Sequence, residues 1–343
     1  AVWEKSGRWL DETADFWFKS KLKNGGLIGL GATHEEPLTA LMIGQISSYR
    51  DLPVYVFQIQ TKFRNETRVK NGLLRCREFL MKDLYSFHHN EEELKEFHEQ
   101  VAGAYEAIFK EIGLADRTYR CFSSGGTFSR YSLEFQTVAE TGEDTIYLDE
   151  SKRLAGNAEI ISDEVLANLG LVKNELVPQR AIELGNLFQL GTRFSQALGL
   201  TYLDQAGKKQ EVFMGTYGLG PTRLVGTVAE ILSDEQGLCW PASIAPFRVH
   251  LLPLPSKNSK VLSTAQTLYN KLLKTNLEVL FDDRELSAGE RFAESDLLGL
   301  PNRVLVSDQT LQNKNFEVAV RHTHERHYFK EKELIDFLRS DHG

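Results

Sequence analysis

Long hydrophobic runs are missing from this 343-residue chain, and cysteine is scarce. No apolar stretch approaches the roughly 18–20 residues that a membrane-crossing helix requires, so no membrane span is expected. The 3 cysteines, Cys76, Cys121 and Cys239, lie far apart, which excludes a disulfide framework and a CxxC metal knuckle. The N-terminal residues from Ala1 to Glu12 lack the basic-then-apolar order of a signal peptide, which points to the cytoplasm or an organelle matrix. Glycine (26) and proline (9) are near average usage, excluding collagen-like and low-complexity chains. A positive excess is missing too. The net charge of -8 argues against a DNA-coating protein and leaves room for a local basic patch on RNA. What is present, 41% hydrophobic and 26% charged residues, describes a globular protein long enough for two domains.

A helix start is legible at Thr33-His34-Glu35-Glu36-Pro37, with Pro37 at the first helical position and acidic residues at the positive end of the helix dipole. Leu38, Leu41, Met42 and Ile46 follow at helical spacing. Residues 54–60 read as a strand that continues to Glu66, and Arg77 to Lys82 as the returning strand of an antiparallel hairpin. Asn90 and Glu93 are placed to cap a helix that Gly113 ends. Its stripe is Leu94, Phe97, Val101, Ala104, Tyr105, Ile108, Phe109 and Ile112. Short strand-like runs fill 120–215, and a helix is expected from Leu224 to Leu232. The prolines of 240–246 suggest a domain boundary. Beyond it, strand-like runs at 248–254, 277–281, 303–307 and 316–321 alternate with helical runs at 259–275, 287–298 and 331–339, the pattern of a compact α/β domain.

Three elements can carry chemistry. Between Lys62 and Lys82 stand Lys62, Arg64, Arg68, Lys70, Arg75, Arg77 and Lys82 against only Glu66 and Glu78. In isolation a salt bridge explains Arg64 with Glu66, but such an excess on one hairpin suits a polyanion such as a nucleotide triphosphate. Phe79 among these charges suits stacking on a base, or plain core packing. Gly215 to Arg223 carries glycines before a helix start and a further arginine, which suits an anion. It is neither a dinucleotide fingerprint nor a P-loop. Thr33 and Glu35 suit a substrate ammonium, although helix capping also accounts for them. The segment is not an HExxH zinc site, because Leu38 replaces the second histidine. His322, His324 and His327 cluster, but neighbouring Lys and Arg favour a solvated face over a metal site.

Together Thr33 to Glu36, Thr61 to Glu66 and Gly72 to Asp83 resemble the core of the prolyl-tRNA synthetases of bacterial or organellar type. Phe188-Gln189-Leu190-Gly191-Thr192, Met214 to Arg223, and Asp282-Asp283-Arg284 with Gly289 and Phe292 are similar to that family in order and spacing. The resemblance runs from about Trp3 to the C-terminus. It implies an α/β chain: an α+β catalytic domain with an antiparallel sheet flanked by helices over 1–246, then an α/β anticodon-binding domain with a mixed sheet over 247–343. The implied activity is ATP-dependent formation of prolyl-adenylate and transfer of the prolyl group to tRNA(Pro), with Mg²⁺ arriving with ATP. Arg64, Glu66, Arg75, Phe79, Gln189, Thr192 and Arg223 would bind ATP. Thr33, Glu35, Arg64, Glu134, Thr216 and Gly218 would bind proline, and Arg64, Glu66 and Arg223 would serve catalysis.

Some features depart from the family. The motif 1 segment that builds its homodimer lies upstream of the resemblance, and 150–181 is expected to be a short link where relatives insert an editing domain. The family's Ser-His-Glu-Phe-Gln is Ser132-Leu133-Glu134-Phe135-Gln136, and Thr216 replaces a cysteine common in motif 3. Rival readings are a threonyl- or histidyl-type class II synthetase, and a non-catalytic, synthetase-derived tRNA-binding accessory protein.

Overall fold

The computed structural model describes residues 1–340 apart from Arg68, Lys70, Thr127, Ser129 and Arg130. The chain divides into two compact units, Ala1–Thr227 and Val228–Gly343.

The first unit is built on an eight-stranded sheet. Its strands are β1 (Val54–Phe63), β2 (Glu78–His88), β3 (Thr118–Ser124), β4 (Tyr131–Val138), β5 (Asp144–Asp149), β6 (Leu154–Asn157), β7 (Val177–Gly191) and β8 (Phe213–Leu219). They lie in the order β1-β2-β8-β7-β4-β3-β6-β5, and β7 also pairs with β5, so β3 to β7 close into a ring. All of these pairings are antiparallel except β3 with β6. The expected hairpin is β1–β2, in register from Val54↔Phe87 to Phe63↔Glu78. Its first strand stops at Phe63 rather than Glu66. There the backbone leaves the ladder: the N–H of Phe63 donates to Gly31 O, that of Asn65 to Phe16 O, and that of Glu66 back to Arg64 O.

Helix Glu91–Glu111 packs on β2, β7 and β8. The Asn90 side chain caps it, accepting from the Glu93 N–H at 2.9 Å, and Gly113 follows its end in the left-handed region at φ 75. The buried face consists of Leu94, His98, Val101, Ala102, Tyr105 and Phe109. Ala104, expected on the stripe, is exposed, because the stripe is rotated towards His98 and Ala102. The early helix runs Glu35–Met42. Pro37 is its third residue, not its first, still within the turn whose N–H groups need no intrahelical acceptor. Leu41 is exposed, and Ile46 is buried beyond the helix end.

Residues 150–181 are more than a link. They hold β6, a helix Asp163–Leu169 and the start of β7. Ser162 caps that helix and Gly170 ends it. The helix Pro221–Leu232 begins three residues before the expected Leu224.

In the second unit, β9 (Val249–Pro253), β10 (Val279–Phe281), β11 (Asn302–Val306), β12 (Phe316–Val320) and β13 (Arg326–Phe329) form one sheet in the order β10-β9-β11-β12-β13. The sheet is mixed: β9 is parallel to β10 and β11, while β12 and β13 are antiparallel additions. Helices Ser259–Leu273, Ala288–Leu298 and Glu331–Arg339 match the expected runs. The core joins Val249, Leu251 and Val304 of the sheet to Leu268 and Leu334 of the helices. No helix among the described residues is long and apolar enough to cross a membrane.

Candidate functional site

Two cavities adjoin on the face formed by β1, β2, β7 and β8. The larger, of about 140 Å³, is lined by Arg64, Glu66, Arg75, Phe79, Glu183 and Arg223 among others. The smaller, of about 70 Å³, is lined by Thr33, Glu35, Lys62, Asp83, Thr216 and Gly218 among others. Arg64, Met81 and Asn186 line both.

Three arginines from distant parts of the sequence therefore share one cavity. Arg64 sits just past the end of β1, its Cζ 5.4 Å from the centre of the Phe79 ring on β2. Burial is the main influence that holds the Arg64 guanidinium below its ordinary pKa; Glu183 pulls it up and Arg223 pushes it down. It stays charged, because an arginine does not lose its proton in a protein. Arg223, in the first turn of helix Pro221–Leu232, donates from Nε to Leu74 O (2.9 Å) and from Nη1 to Glu183 O (2.7 Å). Arg75 pairs with Glu66 at 2.6 Å and with Glu143. Burial opposes the charge on Arg75, but the bonds to Glu66 and Glu143 prevail and raise its pKa. Such a set of fixed guanidinium groups beside an aromatic ring can hold a triphosphate and a base.

The smaller cavity is acidic at one end. Glu35 Oε2 accepts from the Thr33 hydroxyl and from Arg8 Nη1 (3.1 Å), while Oε1 accepts from Thr216 Oγ1 at 3.3 Å. A carboxylate held by three donors with one oxygen facing a cavity can bind an ammonium. A second buried group adjoins it. Lys62 Nζ donates to Asp83 Oδ2 (2.9 Å) and to His34 Nδ1 (2.6 Å), and Tyr85 Oη donates to the same Asp83 oxygen (2.5 Å). Burial pushes both Lys62 and His34 down; since Lys62 can only donate, His34 accepts as a neutral ring. A Cβ at Gly218 would come within 2.6 Å of Asn186 Oδ1 and Met81 Cε, so a larger residue there would displace two side chains that line both cavities.

Of the residues expected from the sequence, Arg64, Glu66, Arg75, Phe79 and Arg223 meet in the larger cavity, and Thr33, Glu35, Arg64, Thr216 and Gly218 in the smaller. Gln189, Thr192 and Glu134 line neither. Gln189 follows Phe188, whose side chain faces the smaller cavity, so alternation along β7 turns Gln189 away. Thr192 is the N-cap of the helix Arg193–Leu198. Glu134, on β4, accepts from Gln136 Nε2 (3.0 Å), which also donates to Asp144 (2.8 Å). Burial and then Glu183 raise the Glu134 carboxyl well above its usual range. Sequence reading missed Glu183 and Asn186, because from Arg180 onward the polar residues of β7 recur at every third position (Arg180, Glu183, Asn186, Gln189) instead of every second, which hides the strand's two faces. It also missed the Lys62–Asp83 pair, which only the β1–β2 register brings together. Among the described residues no group of three His, Cys, Asp or Glu side chains converges to hold a metal, the His322 cluster included.

Comparison with known proteins gives a consistent result. Residues 16–232 match the tRNA synthetase class II core domain (G, H, P, S and T), and residues 248–341 match an anticodon binding domain. The chain is 34% identical over 339 residues to a proline–tRNA ligase of Rickettsia africae (strain ESF-5), covering 93% of this chain and 78% of that protein. It is 34% identical over 338 residues to one from Rickettsia bellii (strain OSU 85-389), covering 93% and 76%. Among solved structures, a Giardia lamblia prolyl-tRNA synthetase in complex with prolyl-adenylate shares the fold, with a TM-score of 0.76 at 20% identity. That match covers 93% of this chain and 60% of the other.

Proposed function

The chain belongs to the proline–tRNA ligases of the class II tRNA synthetases, and on that premise we propose that it activates proline with ATP and passes the prolyl group to tRNA(Pro). The observation that carries this reading is the pair of adjoining cavities that share Arg64. Proline lies in the smaller cavity, its ring ammonium on Glu35 with Thr33 and Thr216 beside it. Its carboxylate turns to Arg64. ATP lies in the larger cavity, with adenine on Phe79 and the outer phosphates on Arg75 and Arg223. Glu66 stands at the adenine end.

The reaction is an in-line attack of the proline carboxylate oxygen on the α-phosphorus, which forms the acyl–phosphate bond and expels pyrophosphate. The nucleophile is already ionised, so no general base is required for this step. The difficulty is to bring two anions together, and fixed guanidinium groups meet it by neutralising charge and fixing geometry. Arg64, placed between the cavities, touches both reactants. In the second step a terminal ribose hydroxyl of the tRNA attacks the acyl carbon and AMP leaves.

Mg²⁺ bound to the phosphates would supply further charge neutralisation. Glu183 and Glu66 line the nucleotide cavity, and their carboxylates fit a hard cation that arrives with the nucleotide. Residues 1–246 form the catalytic part in this proposal, and residues 247–343 hold the anticodon. Basic and acidic residues balance in the latter stretch, so a local patch carries the phosphate contacts and binding weakens steeply with salt. A homodimer belongs to the same proposal. It is supported by Tyr55, Phe57 and Ile59, which expose 47%, 71% and 58% of their surface along the edge strand β1. The cytoplasm, or an organelle matrix, is the proposed location. A tRNA-binding accessory protein would have no use for three arginines around one cavity beside an aromatic ring.

The test is ATP–pyrophosphate exchange with proline, alanine, threonine and cysteine in turn. Exchange that is far stronger with proline is expected. A stronger response to threonine would overturn the amino-acid assignment, and no exchange with any of them would overturn the activity.

A further inference from the structure

Behind Glu35 lies a charge that none of the roles above uses. Arg8 is completely buried and does not line the amino-acid cavity. Its guanidinium lies 4.4 Å from the centre of the Phe128 ring and 5.3 Å from that of Phe194. One nitrogen, Nη1, serves two carboxylates: Glu35 Oε2 at 3.1 Å and Glu36 Oε2 at 3.4 Å. Among the described residues, Nε and Nη2 have no hydrogen-bond partner. A buried arginine with idle donors is costly as a structural brace. Its contribution is electrostatic, directed at the pair of carboxylates.

The segment that carries Arg8 is pinned around it. The Trp17 indole N–H donates to Arg8 O at 2.8 Å, and Ser6 Oγ donates to Glu36 Oε1 at 2.6 Å. Trp3, Trp9 and Trp17 pack together, with ring centres 4.8–6.4 Å apart. Arg8 therefore cannot swing away from Glu35 without dismantling this cluster.

We propose that Arg8 is a positioning residue for amino-acid capture: through a charge-assisted hydrogen bond to Oε2 it holds the Glu35 carboxylate turned so that Oε1 meets the substrate ammonium, and Glu36 competes for the same guanidinium nitrogen. This rests on the reading that Glu35 receives the proline ring ammonium. Burial raises the Glu36 carboxyl, Arg8 lowers it, and Glu35 raises it again, as expected for two carboxylates sharing one cation. The other groups facing Glu35 are Lys62 and Arg64 at the end of β1, Asp83 and Tyr85 on β2, and neutral His34 before the helix. The strand β8 contributes only the uncharged Thr216.

The experiment is proline-dependent ATP–pyrophosphate exchange with KM for proline and for ATP measured across the acid pH range. Losing a charge-assisted hydrogen bond to Glu35 in Arg8→Met is expected to raise KM for proline by roughly 10- to 100-fold while KM for ATP stays within about twofold. The acid limb of kcat/KM for proline moves to higher pH. Glu36→Gln, nearly the same shape, does the opposite: it gives Glu35 all of Arg8, and the acid limb moves to lower pH. A merely structural arginine would not move the limb in opposite directions. An unmoved limb in Glu36→Gln, or equal rises of both KM values in a folded Arg8→Met, overturns the proposal. If Arg8→Met does not fold, Glu36→Gln decides alone. Glu35→Gln separates the two levels. If it leaves KM for proline at the parent value, the reading of Glu35 fails; if it abolishes exchange while Glu36→Gln leaves the limb in place, only the role of Arg8 fails.

Discussion

Replacing Glu143 by glutamine is expected to tighten ATP binding. Glu143 lies just before β5, outside the segments that resemble nucleotide-binding motifs, yet it pairs with Arg75. Arg75 is also held by Glu66 at 2.6 Å, so both ends of its fork are engaged before any phosphate arrives. The side chains of Arg75 and Glu143 are 21% and 19% exposed, so the pair is only partly screened by water. In such a setting the pairing of Arg75 with a carboxylate exceeds its hydrogen bond to a neutral amide by roughly 1–1.5 kcal/mol. If Arg75 must release Glu143 to reach a phosphate, Glu143→Gln removes about 1–1.5 kcal/mol of that cost. By the usual conversion of about 1.4 kcal/mol per decade, KM for ATP should fall about 5- to 10-fold. Stability against urea should fall by a similar free energy, because the free protein loses the same pairing. The assay is pyrophosphate exchange at saturating proline with ATP varied, paired with urea unfolding. An unchanged or higher KM for ATP in a folded variant would refute the view that Arg75 exchanges Glu143 for phosphate.

Further expectations concern other parts of the molecule. Phe79→Ala should raise KM for ATP several-fold, with KM for proline little changed, since base stacking contributes about 1–3 kcal/mol; equal effects on both would contradict the stacking role. Burial pushes Lys82 down to about 8 although Asp83 pulls it up. Its folded-state pKa is thus below the ordinary value of about 10.4, so the folded state is penalised for the charge below pH 8 and relieved as pH rises from 8 towards 10.4. Urea unfolding at about pH 7.5 and 9.5 should show a gain in stability with pH that shrinks in Lys82→Met; an identical gain in the variant would count against it. In the second unit, buried Arg321 grips Asp234 through two bonds of 2.6 Å. Arg321→Ala should cost roughly 1–2 kcal/mol, because Asp234 is 37% exposed and water takes over its oxygens once the arginine is gone, and differential scanning calorimetry should register a lower Tm for this unit.

What the sequence disclosed follows from how local each signal is. The β1–β2 hairpin, the helix Glu91–Glu111 and the alternating elements after Val249 are each set by neighbours in sequence, through alternation, capping or helical spacing. The ends of elements were less legible. Asn65 leaves the strand because its N–H finds Phe16 O, a partner 49 residues away by numbering, and nothing at Asn65 itself announces that. The ring of β3 to β7 depends on one strand pairing with three others, which no local pattern reveals. At the site, Arg64, Arg75 and Arg223 stood out as charges in glycine-containing or basic segments. Arg8 and Asp83 did not, and Lys62 counted only as one more charge of the basic run, because a buried ion pair in sequence is indistinguishable from two solvated charges. Gln189 and Thr192 came from resemblance alone; the strand's alternation accounts for Gln189, and Thr192 occupies the N-cap position of the helix Arg193–Leu198 without a side-chain capping bond.

The arrangement stands on Arg64 serving both reactants from between the two cavities. Proline-dependent ATP–pyrophosphate exchange in Arg64→Ala, with KM for proline and for ATP measured separately, tests this most directly. Loss of exchange by several orders of magnitude, with any residual activity showing both KM values raised, is the expected result. A variant that keeps near-parent kcat, or that weakens only one substrate, would contradict it.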